Sequence, residues 1–476
     1  MHEIYLVCAP GLETLLGAEA RALGLRVRAV EAGGVTVDGE LADVVRANIG
    51  LRTASRVLVR VASFKATAFH ELERSARRIA WDRFIGASPV RVRATCRKSK
   101  LYHSDAVAER VLGAIERTTG IGDAMSLVAA PSAPAGATKA KNAKEPKRTG
   151  GESRSFIPAK PTTGAKTAAA RAAAKKSLAA AAEMAAARLE AAKAAQAAES
   201  GGDASAPRGE TSDDEHDEGA GAQLVVVRFF RDECTISIDS SGALLHRRGY
   251  RQATAKAPLR ETLAAAMLLG AGWTGDTPLV DPLCGAGTIP IEGALIARRI
   301  APGRARAERG ELAIASWPEL PPGEIERQVA VALGNELASA RVPIVGSDRD
   351  PGAIEAATAN AERAGVSADV RFVKRVLSAA EPVGESPGLL VANPPYGVRL
   401  GDGADVRNIY AQLGKVAHFS FPGWRVGVLS PDRALDSQTR LPLRQTFETT
   451  NGGIRVRYLV ATSPVEVADT ADFGPQ

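Results

Sequence analysis

The segment Asn393-Pro394-Pro395-Tyr396 follows directly on the apolar run LLVA, residues 389–392. Proline has no N–H to donate to a sheet ladder, so a buried strand must end at this point. Each proline also drives the residue before it out of the helical region, which leaves a stiff extended elbow. Such rigidity suits a site in which an asparagine amide and a tyrosine ring are held at fixed positions. The alternative is a loop that only ends a strand.

A glycine-rich turn, DPLCGAGT at residues 281–288, has the pattern of a ligand site. An apolar strand delivers Asp281 to its carboxyl end, Gly285 and Gly287 form a tight turn, and a helix begins behind them. Glycines let a ligand lie against the backbone, and a helix N-terminus attracts a carboxylate. The lysine of a triphosphate-binding loop and the third glycine of the dinucleotide fingerprint are both absent, which counts against those ligands. Many α/β proteins use such a turn only for packing.

A second strand–turn–helix unit occupies residues 342–365 and carries Asp348 at the end of its strand. An acidic residue at this point can hold ribose hydroxyls. The other reading is a helix N-cap, for which Asp350 is the better candidate. The distance from the glycine turn to Asp348 is far longer than the roughly 20 residues usual in dinucleotide folds. The segment between the two must therefore leave the sheet and return.

These motifs require a sheet that brings their strand ends together. Strand patterns lie near residues 278–282, 342–347, 370–374, 388–392 and 424–430, with helices between them. The last segment, LRQTFETTNGGIRVRYLVAT, has an NGG turn between two alternating runs and predicts an antiparallel hairpin. This order predicts a doubly wound α/β domain, a mostly parallel sheet finished by an antiparallel hairpin. The glycine turn, Asp348 and the NPPY elbow then converge on one edge.

The first 64 residues follow the order strand, helix, hairpin, helix, strand, from EIYLVCA to ASRVLVRVASF. This βαββαβ order predicts a ferredoxin-like domain at 1–64. Helix, strand and helix patterns then continue to residue 130 and predict a second small α/β module. Two strand patterns, QLVVVRFF and DECTISID, have no partner nearby in sequence. We therefore expect them to complete the second module, which would comprise residues 65–130 and 222–240.

Residues 131–221 differ from the rest of the chain. Lys, Pro, Gly and Thr dominate first, an alanine-rich tract follows, and the acidic SDDEHDE comes last. Aromatic and β-branched residues are almost missing, so this segment has too little apolar surface to form a core. It predicts a low-complexity insert, disordered or transiently helical, that interrupts the second module and has no catalytic role. Its basic part could touch RNA, although a plain spacer is favoured.

Composition limits the class of protein. The net charge of +7 makes acidic partners such as nucleic acid plausible. The four cysteines are scattered, with no CxxC pair, which argues against a metal centre or a disulfide framework and for a reducing compartment. The N-terminus lacks the pattern of a signal peptide, and no apolar run approaches the length of a membrane span. We expect a cytoplasmic protein with no metal and no membrane partner.

The three motifs DPLCGAGT, GSDRDPGAIEAATANAERAG and ANPPYGVRL together resemble the class I S-adenosylmethionine-dependent methyltransferases that act on exocyclic amines. HRRGYRQATAKAPLRETLAAAMLL and the N-terminal segments CAPGLETLLGAEARALG and LRTASRVLVRVASF narrow the resemblance. They are similar to the THUMP-domain RNA guanine-N2 methyltransferases, specifically the bacterial 23S ribosomal RNA group. The resemblance implies a Rossmann-like methyltransferase domain at 245–465 with a tail at 466–476, and a THUMP RNA-binding domain in the second module.

The resemblance also implies roles for individual residues. The cofactor S-adenosyl-L-methionine would be held by Asp348 at its ribose and around its methionine moiety by Asp281, Cys284, Gly285, Gly287, Thr288, Pro258 and Glu261. Asn393, through its side-chain oxygen, and Pro394, through its carbonyl, would accept hydrogen bonds from the target amine. Tyr396 would stack on the extruded base. The family usually has an acid after the third strand to hold the adenine amine, but this chain has Val376 there.

The N-terminal half would then bind RNA, most directly through Arg97, Lys98, Lys100 and Tyr102, which combine cations with an aromatic ring. Trp81 and Phe84 have helical spacing and are more typical of core. Arg248 and Arg251 are candidates to line the path from this module to the active site. The alternative is that they pair with acidic residues.

The leading hypothesis is N2-methylation of a guanosine in 23S ribosomal RNA, either as free RNA or in a pre-50S particle. A tRNA guanosine-N2 methyltransferase is the nearest alternative. A DNA adenine-N6 methyltransferase is less favoured, because the N-terminal module is of an RNA-binding type. A catalytically silent RNA-binding ribosome-assembly factor is the alternative from another class.

Overall fold

The computed structural model describes residues 1–86, 88–120, 126–127, 222–252, 259–396 and 403–461. The predicted insert and tail lie outside these residues, as does Pro258. Within the described residues two sheets carry the fold, one of eight strands and one of seven. None of the described helices is long and apolar enough to cross a membrane.

The N-terminal segment has the predicted βαββαβ order. Its elements are β1 His2–Val7, α1 Glu13–Ala22, β2 Arg26–Glu31, β3 Gly34–Gly39, α2 Leu41–Gly50 and β4 Arg56–Lys65. On β1, Ile4 and Leu6 are fully buried beneath the helices. α2 begins with a capping box, in which the side chains of Glu40 and Asp43 each accept a hydrogen bond from the other's backbone N–H. The alternating and helical apolar patterns thus place both helices on one face.

The second module extends the same sheet. Its elements are α3 Phe69–Ala76, β5 Val90–Arg97, α4 Ser104–Thr119, β6 Ser126–Leu127, β7 Gln223–Phe230 and β8 Glu233–Asp239. The strand order is β2-β3-β1-β4-β8-β7-β5-β6, so β4 pairs with β1 on one side and with β8 on the other. β7 pairs with β5, across the long sequence gap. The two predicted modules therefore share one continuous sheet.

The second sheet lies in the C-terminal half. Its strands are β9 Leu279–Asp281, β10 Ile344–Asp348, β11 Val370–Lys374, β12 Leu389–Ala392, β13 Arg425–Ser430, β14 Arg444–Asn451 and β15 Ile454–Ala461. α5 Glu261–Gly270 precedes the first of these strands, and the helices between them are α6 Thr288–Ala297, α7 Arg304–Glu308, α8 Glu324–Gly334, α9 Pro351–Arg363, α10 Gly403–Ser420 and α11 Arg433–Gln438. The order is β11-β10-β9-β12-β13-β15-β14, parallel as far as β13 and antiparallel in the final hairpin. The predicted mixed seven-stranded fold is confirmed.

Two helices, α6 and α9, begin at the carboxyl edge of this sheet, and their sequences explain their positions. α6 has no polar stripe, and all of its residues are buried, so it is enclosed on every side. α9 begins at Pro351, with the Asp350 side chain accepting a hydrogen bond from the N–H of Gly352 at 2.9 Å. The predicted N-cap role of Asp350 is confirmed. Both helices start directly behind a strand end that carries an aspartate.

The N-terminal half is bound to the C-terminal half through backbone groups. The N–H of Gly303 donates to the carbonyl oxygen of Ile49 at 2.8 Å. Arg52 donates to the carbonyl of Ile300 at 2.7 Å, and the buried Arg306 donates to the carbonyl of Ser241 at 3.0 Å. Guanidinium groups that satisfy buried carbonyls make this interface specific, because each carbonyl would otherwise lack a partner.

Candidate active site

Three predicted site residues lie at the carboxyl ends of neighbouring strands. Asp281 ends β9, Asp348 ends β10, and Asn393 follows β12. The three strands are adjacent in the order β10-β9-β12, and all pairings between them are parallel. The convergence expected from the sequence is therefore present, at the edge where open α/β sheets bind their ligands.

The glycine turn has a backbone that few other residues could adopt. Gly285 and Gly287 both have positive φ, +50° and +83°. A Cβ on Gly287 would lie 2.8 Å from the ring of Phe372, so the turn also packs tightly against β11. A Cβ on Gly285 would meet nothing within 4 Å. The turn is therefore closed behind Gly287 and open beside Gly285, which leaves room for a ligand against the backbone.

Hydrogen bonds fix the turn to the neighbouring elements. The N–H of Cys284 donates to the carbonyl of Ser347 at 3.0 Å, and the buried Asn360 side chain on α9 donates to the carbonyl of Ala286 at 2.9 Å. Thr288, the first residue of α6, is buried. The two hydrogen bonds thus join the turn to the residue before Asp348 and to α9.

Asp348 is oriented by two backbone donors. One carboxylate oxygen accepts from the N–H of Gly285 at 3.1 Å, and the other accepts from the N–H of Asp350 at 3.0 Å. A carboxylate has about four lone-pair sites. Because two are used in this way, Asp348 keeps acceptor capacity while its position is fixed.

Asp281 is almost completely buried and accepts a hydrogen bond from the N–H of Leu283 at 3.0 Å. Burial raises the pKa of its carboxyl to about 8, against the lowering effect of that hydrogen bond, and the Asp348 carboxylate raises it further. Burial also raises the pKa of the Cys284 thiol, so this cysteine stays protonated. A protonated buried thiol is a packing residue rather than a nucleophile.

The NPPY elbow presents one unsatisfied acceptor. The side-chain oxygen of Asn393 is shielded from solvent and has no hydrogen-bond partner among the described residues. Pro394 is buried, and Pro395 is exposed. The Tyr396 hydroxyl accepts a hydrogen bond of 2.6 Å from the side-chain amide of Asn451, a residue that the sequence analysis did not single out. Its only sequence signal is the NGG turn in which it stands.

Glu261, predicted at the cofactor, is buried at the start of α5 and bound to Arg251, with 2.9 Å between carboxylate oxygen and guanidinium nitrogen. Burial raises the pKa of Glu261 to about 7, and the neighbouring Arg251 opposes this shift. The carboxylate already has a cationic partner, and its contact with the cofactor stays a prediction. Val376, where the family has an acid, is 52% exposed just beyond β11.

Arg248 is too deeply buried for the predicted RNA contact, whereas the RNA contact of the partly exposed Arg251 stays a prediction. Arg248 is only 5% exposed, donates to the carbonyls of Leu245 and Arg52, and lies 3.6 Å from the Glu292 carboxylate. Arg251 also donates to the carbonyl of Leu259, in addition to its ion pair on α5. Both residues follow the other reading of the sequence, in which they pair with acidic side chains. The Arg251 guanidinium binds the start of α5, and the Arg248 guanidinium contacts both Glu292 on α6 and Arg52 of the N-terminal half.

The other predicted RNA-binding residues lie on the surface. Arg97, Lys98 and Lys100 are exposed, and Tyr102 is 68% exposed. The N–H of Lys100 donates to the Asp232 side chain at 2.7 Å, which joins this loop to the β7–β8 turn. Trp81 and Phe84 are buried, as their spacing indicated.

The β7–β8 turn adds two residues to this surface. Phe230 is 50% exposed, and the guanidinium carbon of Arg231 lies 5.1 Å from its ring centre. We call the surface formed by Arg97, Lys98, Lys100, Tyr102, Phe230 and Arg231 the basic–aromatic patch. The sequence reasoning missed Phe230 and Arg231 because they stand about 130 positions away from the loop, beyond the insert.

The strand order, the glycine turn and the aspartates at the strand ends define the C-terminal half as a class I methyltransferase domain. Residues 248–459 match the family model UPF0020, described as the RMKL-like methyltransferase domain, and residues 3–58 match the RlmL ferredoxin-like domain. In these two ranges the chain is RlmL-like, and it is similar to ribosomal RNA large subunit methyltransferase K/L.

Individual relatives cover the chain to different extents. A putative RNA methyltransferase of Synechocystis is 36% identical over 231 residues, 48% of this chain and 59% of that protein. The ribosomal RNA large subunit methyltransferase K/L of Syntrophotalea carbinolica is 39% identical over 253 residues, 51% of this chain and 34% of that protein. This chain thus spans about three-fifths of one and a third of the other. A solved structure of a predicted N6-adenine-specific DNA methylase from Listeria monocytogenes is 27% identical with a TM-score of 0.68, covering 96% of this chain and 95% of that one.

Proposed function

We propose that this chain transfers a methyl group from S-adenosyl-L-methionine to the exocyclic N2 amine of a guanosine in 23S ribosomal RNA. The observation that carries the proposal is the side-chain oxygen of Asn393, a shielded acceptor without a partner in the described part of the chain. A buried acceptor left unpaired costs about 1–3 kcal/mol. An exocyclic amine would supply the missing donor at the edge where the cofactor site also lies.

The residues at this edge fit the cofactor. Asp348 is fixed by two backbone donors and keeps acceptor capacity for ribose hydroxyls. The space beside Gly285 lets a ligand lie against the backbone. Asp281, Cys284, Gly287 and Thr288 complete the turn that would surround the methionine moiety, whose amino group is a cation suited to a buried carboxylate.

Asn393 and Pro394 would activate the amine. An amine on an aromatic ring delocalises its lone pair into that ring, which makes it a weak nucleophile. Two acceptors on its hydrogens, the Asn393 side-chain oxygen and the Pro394 carbonyl, redirect the lone pair out of the ring plane. The cofactor, when bound, would supply the electrophilic methyl group and leave as the neutral thioether, and the methylated nitrogen would lose one proton to water. Alignment and fixed dipoles then account for most of the acceleration, and no covalent nucleophile is required.

Tyr396 would stack on the target base after it leaves the RNA stack. Its ring is partly buried and packs against the core, so it offers a preformed wall and not a mobile side chain. Aromatic stacking of a base contributes about 1–3 kcal/mol and tolerates different bases. Stacking would therefore hold any base, and the two acceptors would select bases that carry an exocyclic amine.

The basic–aromatic patch supports RNA as the substrate. Lysine and arginine bind phosphates, and exposed aromatic rings bind unpaired bases. Two curated relatives are named as an RNA methyltransferase and a ribosomal RNA large subunit methyltransferase. Together these observations favour 23S ribosomal RNA, as free RNA or in a pre-50S particle of the cytoplasm. The similar solved structure from Listeria monocytogenes is described as a predicted N6-adenine-specific DNA methylase. Adenine is therefore the alternative target base.

The test uses RNA from cells that lack this protein, incubated with the purified chain and isotopically labelled S-adenosylmethionine. Ribosomal RNA, transfer RNA and precursor particles are assayed separately, digested to nucleosides and examined by mass spectrometry. We expect label in N2-methylguanosine of the large-subunit RNA. Label in tRNA would favour a tRNA guanosine-N2 methyltransferase, and label in N6-methyladenosine would identify the other amine. No label in any RNA or particle, with cofactor binding intact, would identify a silent RNA-binding protein.

A further inference from the structure

Asn451 reaches the NPPY elbow from the far side of the sheet. β14, which Asn451 ends, is separated from β12 by β13 and β15 in the strand order. Its side-chain amide nevertheless donates to the Tyr396 hydroxyl at 2.6 Å, and only 8% of Asn451 is exposed. The hydrogen bond therefore spans the carboxyl edge of the sheet. It joins a side chain of the predicted base site to the C-terminal hairpin.

This bond controls the direction of the Tyr396 ring. The hydroxyl lies on the axis of rotation between ring and Cβ, so the bond fixes where that axis points without preventing ring flips. Pro394 and Pro395 fix the backbone at the other end of the side chain. Burial raises the pKa of Tyr396, so its hydroxyl stays neutral and continues to accept this bond. The ring is held at both ends.

The hairpin that carries Asn451 is itself seated on the N-terminal half. Gly11 has a φ of +88°, and a Cβ there would lie 1.8 Å from the carbonyl oxygen of Glu448 on β14. Only glycine permits this approach, because any side chain would collide with the strand. The turn before α1 thus supports β14 three residues before Asn451.

We propose that Asn451 is a positioning residue that sets the Tyr396 ring for stacking on the target base. The inference rests on the proposed function, since it assumes that Tyr396 stacks on the base. Asn451 itself touches no substrate in this account. Its contribution passes entirely through the tyrosine hydroxyl, and this makes it separable from a general effect on folding.

A double-mutant cycle tests this dependence. Asn451→Ala should lower kcat/KM for RNA by about five- to tenfold, because it removes one net hydrogen bond. Tyr396→Phe removes the same bond and should show a similar loss. The double variant should lose no more than either single variant, because both changes remove the same bond. Asn451→His, which keeps an N–H donor, should recover part of the activity. Losses that multiply in the double variant would overturn the proposal.

The matched control is Thr450→Ala, at an exposed neighbouring position on β14, which should leave kcat/KM unchanged. Cofactor affinity should be unchanged in all these variants, because none of these residues belongs to the glycine turn. A loss of cofactor binding in Asn451→Ala equal to its loss of activity would indicate a structural role and contradict the proposal.

A readout without activity separates this inference from the function. The chain has six tyrosines, so 3-fluorotyrosine labelling gives few fluorine resonances, and Tyr396→Phe assigns the one required. Asn451→Ala should shift that resonance, and Thr450→Ala should not. An unshifted resonance in an enzyme that methylates RNA overturns the positioning role alone. A wild-type protein that methylates no RNA, whatever the resonance does, overturns the proposed function and this role with it.

Discussion

Glu292 lies 3.6 Å from Arg248 in the protein interior, and neither side chain is more than 5% exposed. Tyr250 donates to the same carboxylate oxygen at 3.1 Å, and Arg248 also donates to the carbonyl of Arg52 at 2.7 Å. Glu292 stands on α6, directly behind the glycine turn, and Arg52 follows α2. One buried charge cluster thus connects the cofactor side of the methyltransferase domain to the N-terminal half.

Breaking this pair should destabilise the protein. Arg248→Met leaves the Glu292 carboxylate buried without its cation, and loss of one partner of a buried pair costs about 3–5 kcal/mol. Urea unfolding measures the change, with Arg371→Met, at an exposed position on β11, as the control. The double variant Arg248→Met with Glu292→Leu should recover much of the loss. An Arg248→Met protein as stable as the parent would show that the charge pair contributes nothing.

Asn393→Ala should remove most of the methyl transfer. Loss of one group that stabilises a transition state typically lowers kcat by about 10²–10³-fold. The affinity for the cofactor should stay nearly the same, because Asn393 follows β12 and is not part of the glycine turn. Transfer of labelled methyl to RNA and calorimetric titration with the cofactor measure the two quantities. Equal rates in variant and parent would remove Asn393 from the mechanism.

Cofactor binding should depend on pH through Asp281. Its pKa of about 8 means that the carboxyl is largely protonated at pH 7, and a bound cation would favour the ionised form. Binding should therefore release a proton below pH 8, and affinity should rise from pH 6 to 8 and then level off. Calorimetry in two buffers of different ionisation enthalpy measures the released proton. The same release from Asp281→Asn would assign it to another group.

Without ligand, the contribution of Asp281 to folding stability falls as pH rises, whereas the affinity for the cofactor rises. The Asp281 pKa is raised above its unfolded value of about 3.9. The native state therefore binds more protons than the unfolded state between about pH 4 and pH 8. The contribution of this group to stability is present below that window and is lost as pH rises through it. Asp281→Asn should flatten this part of the profile in thermal unfolding, and an unchanged profile would contradict the assignment.

Substitutions in the basic–aromatic patch should distinguish stacking on RNA bases from charge contacts with RNA phosphates. Phe230→Ala should weaken RNA binding by about 1–3 kcal/mol without changing its salt dependence, since stacking releases no counterions. Lys98→Ala should weaken binding and reduce the slope against log salt by about 1. Filter binding at several salt concentrations measures both. Phe419→Ala, at an exposed aromatic of α10, is the control. Affinities unchanged in both variants would exclude the patch as an RNA surface.

The sequence predicted features that depend on local pattern. The strand positions, the carboxyl edge and the convergence of Asp281, Asp348 and Asn393 all follow from apolar periodicity and from turns that glycine and proline enforce. The parallel topology then leaves little choice of where strand ends lie. This part of the candidate site needed no knowledge of tertiary contacts.

The errors and omissions concern contacts between distant segments. An arginine in HRRGYR has the same local pattern whether it binds RNA or a buried glutamate, and only the position of Glu292 on α6 decides for Arg248. Phe230 and Asn451 each lie in a β-turn whose sequence indicates a hairpin and nothing more. What these turns face depends on how the sheets twist and pack, which local periodicity does not contain.

In the continuous sheet of the N-terminal half, β8 runs from the basic–aromatic patch to the strand end near the methyltransferase domain. On β8, Glu233 lies at the end next to the basic–aromatic patch, and Asp239 lies at the other end, where Arg56 binds it beside the carbonyl contacts to the methyltransferase domain. Strands rise about 3.3 Å per residue, so the two ends are about 20 Å apart. RNA bound at the patch would therefore be anchored at the end of β8 opposite the contacts with the methyltransferase domain.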